Sequence, residues 1–276
     1  MHGRVLVIAG SDSGGGAGIQ ADIKTITAFG AYAATAITAL TAQNTLGVHA
    51  VHMVPPDFIA RQIAVVLDDI GADVVKTGML GDTATIEVVC DTLTRHVERV
   101  PVVVDPVMVA TTGARLLAPD AVVALKQRLL PLACLITPNL PEAEALAGMA
   151  IRDLAAMHRA VRALLALGVP AVLLKGGHLP GEQVVDLLAT VDGVEEFVAP
   201  RIESRHTHGT GCTLASAVAA CLAQGLGLRD AVLHARAYVR AAIALAPGFG
   251  AGHGPLNHAI TVDMAWLMAA DASRTA

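Results

Sequence analysis

Aromatic residues are nearly missing from this chain: one Trp, two Tyr and four Phe in 276 residues. A core without large rings must be filled by Ala, Val, Leu and Ile, and hydrophobic residues do make up 54% of the sequence. Charge is sparse too. Charged residues are 16%, the net charge is −5, and no Lys/Arg run occurs, which argues against a nucleic-acid surface. Any phosphate would have to be held by backbone dipoles, a few cations and metal. The cysteines (Cys90, Cys134, Cys212, Cys221) show no C-x-x-C and no ligand-like spacing. That excludes a disulfide scaffold and reads as free thiols in a reducing compartment. Cys90, Cys134 and Cys221 sit in apolar surroundings and read as core thiols. Long apolar runs are absent despite a mean hydropathy of +0.59. The run from Leu214 to Ala223 holds Ser216 and ends at Gln224-Gly225, short of the roughly 20 residues that a membrane span needs. Met1-His2-Gly3-Arg4 leads into an apolar strand without a signal-peptide layout. The expectation is a cytoplasmic protein with no membrane partner.

What is present is an alternation of short apolar runs and helical stretches. Val5–Ala9, Ala33–Thr41, Val74–Thr77, Val102–Val104, Cys134–Thr137 and Ala171–Leu174 read as strands. Continuous apolar runs of this kind suit a parallel sheet covered on both faces. Ile19–Phe29, Asp57–Ile70, Asp82–Arg95, Pro119–Leu129 and Arg152–Leu167 read as helices, followed late in the chain by Gly211–Ala223, Arg229–Ala246 and Asp263–Ala270. Val184–Thr190 and Glu195–Ala199 flank an Asp192-Gly193 pair, a hairpin signal placed at the sheet edge. No repeat or linker divides the chain. The expected fold is a single α/β domain over residues 1–276, with right-handed crossovers.

Ligands of open α/β sheets bind beyond the carboxyl ends of the strands. Those positions hold Gly10-Ser11-Asp12-Ser13-Gly14-Gly15-Gly16-Ala17-Gly18, Gln43-Asn44, Gly78-Met79, Asp105-Pro106-Val107, Pro138-Asn139-Leu140-Pro141-Glu142 and Lys175-Gly176-Gly177-His178. The first is neither a dinucleotide fingerprint, since Ile19 stands where glycine is needed, nor a Walker loop. Asp105 at a strand end could hold Mg²⁺ through water, or cap a turn. Asn139 and Glu142 offer an amide and a second carboxylate, or ordinary turn chemistry. Lys175 after a buried strand is placed to meet phosphate. The Gln43 amide matches an aminopyrimidine edge, or caps backbone. His206 and His208 lack the carboxylate company of a zinc site and read as loop residues.

The most informative segment is Thr207-His208-Gly209-Thr210-Gly211-Cys212, with a small-residue helix directly behind it. A helix opening this way aims free N–H groups and a positive dipole end at one point, an anion site. A thiol there is expected to have its thiolate favoured, so that Cys212 serves as base or nucleophile.

Taken in order, Ser11-Asp12-Ser13-Gly14-Gly15-Gly16-Ala17-Gly18-Ile19-Gln20-Ala21-Asp22, Thr38-Ala39-Leu40-Thr41-Ala42-Gln43-Asn44-Thr45, Lys76-Thr77-Gly78-Met79-Leu80, Thr137-Pro138-Asn139, Lys175-Gly176-Gly177-His178 and Gly209-Thr210-Gly211-Cys212 resemble the hydroxymethylpyrimidine/phosphomethylpyrimidine kinases of thiamine biosynthesis. The resemblance runs from about Val5 to His258. It implies a ribokinase-like three-layer sandwich and an ATP- and Mg²⁺-dependent kinase acting twice on an aminopyrimidine. It assigns substrate contacts to Asp22, Gln43, Ala17, Met79 and Val107. Nucleotide contacts fall to Asn139, Lys175 and Thr207, and metal to Asp105 and Glu142. The anion hole falls to Gly209, Thr210, Gly211 and Cys212, with Lys175 aiding transfer. A homodimer is implied as well. Sugar kinases of this fold end the cradle in aspartate where Cys212 stands. The nearest rival is a pyridoxal or pyridoxine kinase, and a non-catalytic nucleotide-binding protein is a more distant one. A cysteine hydrolase lacks a placed base.

Overall fold

The computed structural model describes residues 2–96, 100–110 and 112–262. Nine strands form one sheet, ordered β3-β2-β1-β4-β5-β6-β7-β8-β9. They are β1 (Arg4–Asp12), β2 (Tyr32–Gln43), β3 (Val48–Met53), β4 (Val74–Thr77), β5 (Val102–Val104), β6 (Ala133–Ile136), β7 (Ala171–Leu174), β8 (Gln183–Thr190) and β9 (Gly193–Pro200). The six across the middle, β2-β1-β4-β5-β6-β7, pair in parallel. β3 lies antiparallel on one edge, and the β8–β9 hairpin on the other. Thr190 pairs with Gly193, so Val191-Asp192 forms the turn and the glycine begins the next strand.

The helices are α1 (Gly18–Ala28), α2 (Pro56–Asp69), α3 (Thr83–His96), α4, α5 (Leu140–Ala147), α6 (Leu154–Leu165), α7 (Thr210–Ala223) and α8 (Leu228–Ala244). α4 starts at Ala121–Ala124, widens to a π turn over Leu125–Leu129 and tightens to a 3₁₀ turn over Leu130–Leu132. The regular helix expected from Pro119 to Leu129 is therefore irregular. Two elements were not foreseen, β3 and α5. The expected helix Asp263–Ala270 lies outside the described residues.

Strand residues alternate between two cores, which makes the architecture a three-layer sandwich. Leu6, Ile8, Val75, Val104, Ile136 and Val172 pack with α2, α3, α5 and α6. Val5, Val7, Val74, Val103, Leu135 and Leu173 face the opposite way, onto α1, α7 and α8. α7 is buried all round from Thr213 to Cys221. Its residues there are small apart from Leu214 and Val218, so its backbone lies close to the sheet. A helix apolar on every face belongs inside a core. That burial fixes where its N-terminus points, and the parallel strands bring their carboxyl ends to the same edge.

Candidate active site

A cavity of about 820 Å³ opens along that edge. Every expected site residue except Asp22 lines it: Ala17, Gln43, Met79, Asp105, Val107, Asn139, Glu142, Lys175, Thr207 and residues 209–212.

At one end is the start of α7. Gly209 has φ 86° and no side chain to cap the helix; Thr210 N–H donates to the Thr207 carbonyl at 3.3 Å, and the Gly211 and Cys212 amides are left for a ligand. A side chain at Gly209 would fall 1.8 Å from the Gly16 carbonyl oxygen. The cradle and the N-terminal glycine loop thus touch backbone to backbone. A side chain at Gly211 would sit 3.2 Å from Lys175 Nζ and 3.6 Å from Asp105 Oδ2, which puts both groups beside the first turn.

Lys175 Nζ donates to Asp105 Oδ1 at 3.0 Å, and Thr137 Oγ1 donates to the same oxygen at 3.0 Å. Burial works to lower the Lys175 ammonium, but Asp105 and Glu142 outweigh it and raise it above its ordinary value. Lys175 therefore stays a cation. Among the described residues Asp105 Oδ2 accepts no hydrogen bond and remains for a ligand. Glu142 is 4% exposed. Burial and, less strongly, repulsion by Asp105 raise its carboxyl to about 7 against the pull of Lys175. Asn139 and Glu142 also build a reciprocal capping box on α5. Glu142 N–H donates to Asn139 Oδ1 at 2.9 Å, and Asn139 N–H donates to Glu142 Oε2 at 2.8 Å. The turn reading and the ligand reading thus meet in the same two residues. No group of three or more metal-ligating side chains occurs among the described residues. Two carboxylates suit Mg²⁺, which keeps several waters and arrives with substrate phosphates.

Two expectations need correction. Asp22 does not line the cavity. It is fully buried, takes Lys76 Nζ on both oxygens at 3.0 Å and accepts from Ser216 Oγ at 2.6 Å. Burial raises its carboxyl against Lys76 and Ser216, while Asp22, Cys212 and Asp105 together hold Lys76 charged despite its burial. The second correction concerns Cys212, whose thiolate is not favoured. Burial pushes the thiol up to about 12, with Asp22 and Asp105 adding to it, although Lys76 and the Gly18 N–H pull the other way. A helix dipole is worth roughly 0.3–1 kcal/mol, less than the cost of burying a thiolate beside two carboxylates.

The acceptor end holds residues whose roles the sequence did not announce. The Asp12 carboxylate organises the glycine loop, accepting N–H bonds from Gly14 (2.8 Å), Gly16 (3.1 Å) and Ala17 (2.9 Å). His208 Nε2 lies 2.8 Å from the same carboxylate and 3.4 Å from Gln43 Nε2. Burial works to raise Asp12, but His208 and the loop amides outweigh it and hold the carboxyl below its ordinary range. The only advance signal was the H-x-H spacing of residues 206 and 208. At the opposite end Arg236 pairs with Asp186 at 2.8 Å, and Asp186 accepts the Gly176 N–H, shaping the wall after β7.

An anion cradle, an adjacent cation, a carboxylate pair and an acceptor pocket at one edge of a three-layer α/β sandwich define a ribokinase-like phosphotransferase. The phosphomethylpyrimidine kinase family model matches residues 12–257, and the chain belongs to that family. It is 51% identical over 261 residues to the hydroxymethylpyrimidine/phosphomethylpyrimidine kinase of Rhizobium meliloti, covering 94% of this chain and 97% of the relative. It is 55% identical over 262 residues to the thiamine biosynthesis bifunctional protein of Geobacter sulfurreducens, covering 95% of this chain but only 53%, about half, of that longer protein. Among solved structures, the ADP complex of Bacillus subtilis pyridoxal kinase superposes with a TM-score of 0.87 at 38% identity, covering 94% of this chain and 98% of that one.

Proposed function

We propose that this chain transfers the γ-phosphoryl group of ATP to the hydroxymethyl oxygen of 4-amino-5-hydroxymethyl-2-methylpyrimidine. It then adds a second phosphoryl group to the monophosphate so formed. The observation that carries this reading is the joining of the Gln43 pocket and the 209–212 cradle in a single cavity. One acceptor seated on Gln43 reaches the cradle first as an alcohol and later as a phosphate.

Gln43 takes the polar edge of the heterocycle, and Ala17, Met79 and Val107 supply its less polar walls. The amides of residues 209–212 and the Lys175 ammonium stabilise charge as it redistributes over the phosphoryl oxygens. Asn139 and Thr207 flank the nucleotide. Asp105 and Glu142 would hold Mg²⁺, which when bound would neutralise charge on the ATP phosphates. The free Asp105 Oδ2 beside Lys175 fits that ion.

A thiol near 12 is protonated at neutral pH, so Cys212 orients the acceptor oxygen rather than taking its proton at the outset. Phosphoryl transfer through a loose transition state needs little early proton removal. In the second transfer the acceptor is a monoester whose second pKa is about 6, already largely dianionic. A neutral thiol lets it approach, whereas a carboxylate at this position would repel it.

The decisive experiment is mass spectrometry of products from the aminopyrimidine alcohol and Mg-ATP. Mono- and diphosphate together are expected; neither product would overturn the reading. The likeness to a pyridoxal kinase favours one alternative, phosphorylation of pyridoxal. Competition between the two acceptors, compared as kcat/KM, separates them. The reading carries with it a homodimer, testable by light scattering, and a reducing cytoplasmic setting that suits the four free thiols.

A further inference from the structure

We propose that His208 is a positioning residue that, by committing its Nε2–H to Asp12, leaves the Gln43 amide hydrogens free for the acceptor and ties acceptor recognition to the anion cradle. The inference rests on reading the cavity as a kinase site with Gln43 at its acceptor end. His208 is buried, and its Nε2 stands between two groups of opposite character. Asp12 Oδ2, at 2.8 Å, only accepts when ionised; the Gln43 amide nitrogen, at 3.4 Å, only donates. One ring nitrogen cannot serve both. It carries a hydrogen and donates to Asp12, or it offers a lone pair to Gln43.

The geometry decides for Asp12. The contact is shorter, the carboxylate is buried, and its other partners are all N–H donors from the glycine loop. A bare nitrogen lone pair facing that carboxylate would be repelled. Nε2 therefore bears the hydrogen, in the neutral ring and in the imidazolium alike. The Gln43 amide hydrogens then find no acceptor in the imidazole and stay available to the cavity. Gln43 Oε1 is meanwhile approached at 3.1 Å by Thr41 Oγ1, whose single hydrogen is shared with the Ser11 carbonyl at 3.0 Å. The amide is thereby poised to donate to a ligand acceptor, such as an unprotonated ring nitrogen.

The same residue reaches the transfer end. His208 directly precedes Gly209, whose backbone rests on Gly16. Its own N–H donates to the Gly254 carbonyl at 3.2 Å. A shift of the imidazole thus moves the glycine loop through Asp12 and the cradle through the chain. Acceptor binding at Gln43 and placement of the phosphoryl group share one fixed ring.

Two measurements test this. Nitrogen-15 NMR of histidine-labelled protein, with the His208 signal assigned through His208→Gln, reads the ring state without any substrate. Protonated Nε2 is expected; a ring protonated on Nδ1 alone overturns the proposal. A double-mutant cycle with His208→Ala and Gln43→Ala then reads acceptor KM apart from kcat. His208→Ala is expected to raise acceptor KM about tenfold in the wild type and by less than about twofold in Gln43→Ala. Independent, multiplicative effects overturn it, as does a His208→Ala that lowers only thermal stability and kcat. His208→Gln, which retains an N–H donor, is expected to recover part of the KM. Should His208→Ala not fold, Asp12→Asn takes its place in the cycle with the same expected coupling. Absence of turnover by the wild-type protein would count against the proposed function, while the NMR result would still decide the ring state.

Discussion

Lys76→Met isolates the buried pair beneath the cradle. Lys76 and Asp22 are both 0% exposed, and the ammonium donates to both carboxylate oxygens at 3.0 Å. Among the described residues only Ser216 Oγ, at 2.6 Å, is left to the carboxylate once the lysine is gone. Breaking a buried pair by deleting one partner costs about 3–5 kcal/mol, because the surviving charge is uncompensated. For a chain of this size that corresponds to a fall in Tm of roughly 2–4 °C per kcal/mol. The pH dependence carries a definite sign. Burial already raises the Asp22 carboxyl in the folded protein, and loss of Lys76 raises it further. A carboxyl raised on folding contributes stability below its unfolded pKa and loses it as pH rises through the folded value. The deficit relative to wild type is therefore smaller at acid pH, where the carboxyl is protonated in both proteins, and grows as pH rises from acidic to weakly alkaline buffers. Asp22→Asn in the same chain removes the stranded charge yet keeps an acceptor for Ser216, so the double variant is expected to regain most of the loss. Urea denaturation of the three variants across this range checks all of it. A deficit under about 1 kcal/mol, or one independent of pH, would refute the ionised-pair reasoning.

Other expectations are simpler. Lys175→Met, at a cavity-facing position that is 15% exposed, should lower kcat by about 10²-fold or more in steady-state assays while shifting Tm by only a few degrees. Cys212→Ser should retain most of both transfers; Cys212→Asp should slow the second by at least about tenfold more than the first, through like-charge repulsion of the monoester. Equal losses in separately measured steps would sink the neutral-thiol argument. Glu142, raised on burial to about 7, contributes stability that is present below its unfolded value and lost as pH climbs through 7. Glu142→Gln should remove that decline, on the order of 3 kcal/mol between about pH 4.5 and 8, in denaturation curves. Asn139→Ala deletes a cap and should cost about 1 kcal/mol, with a raised KM for Mg-ATP.

The parallel core of the sheet was legible because most of its strands are short, largely apolar runs, Lys76 and a few threonines apart, and the residues that follow each strand pointed to the functional edge. β3 escaped because Val48–Met53 is largely exposed and carries His49 and His52, so neither alternation nor a buried run marks it. α5 escaped because Leu140-Pro141-Glu142 looked like a turn; Asn139 followed three residues later by Glu142 is a capping-box signature that would have found it. Motif order brought most cavity residues together. It misplaced Asp22, since a motif does not tell whether a carboxylate faces a ligand or a lysine one layer below. It also misjudged Cys212. Helix position alone predicts a lowered thiol, whereas depth and the neighbouring Asp22 and Asp105 depend on packing across four elements. His208 and Asp12, 196 positions apart, form a contact that no local pattern encodes.

That separation has a temporal consequence. The glycine loop is translated 196 residues ahead of its partner histidine, which must be made before the contact can form. Until then Asp12 has loop amides but no imidazole, and Gly16 has no Gly209 to rest against. Phosphate affinity should thus appear abruptly during synthesis, once α7 has docked, well after β1 and β2 have had time to associate. A nascent kinase of this design is silent toward nucleotide until α7 has been made.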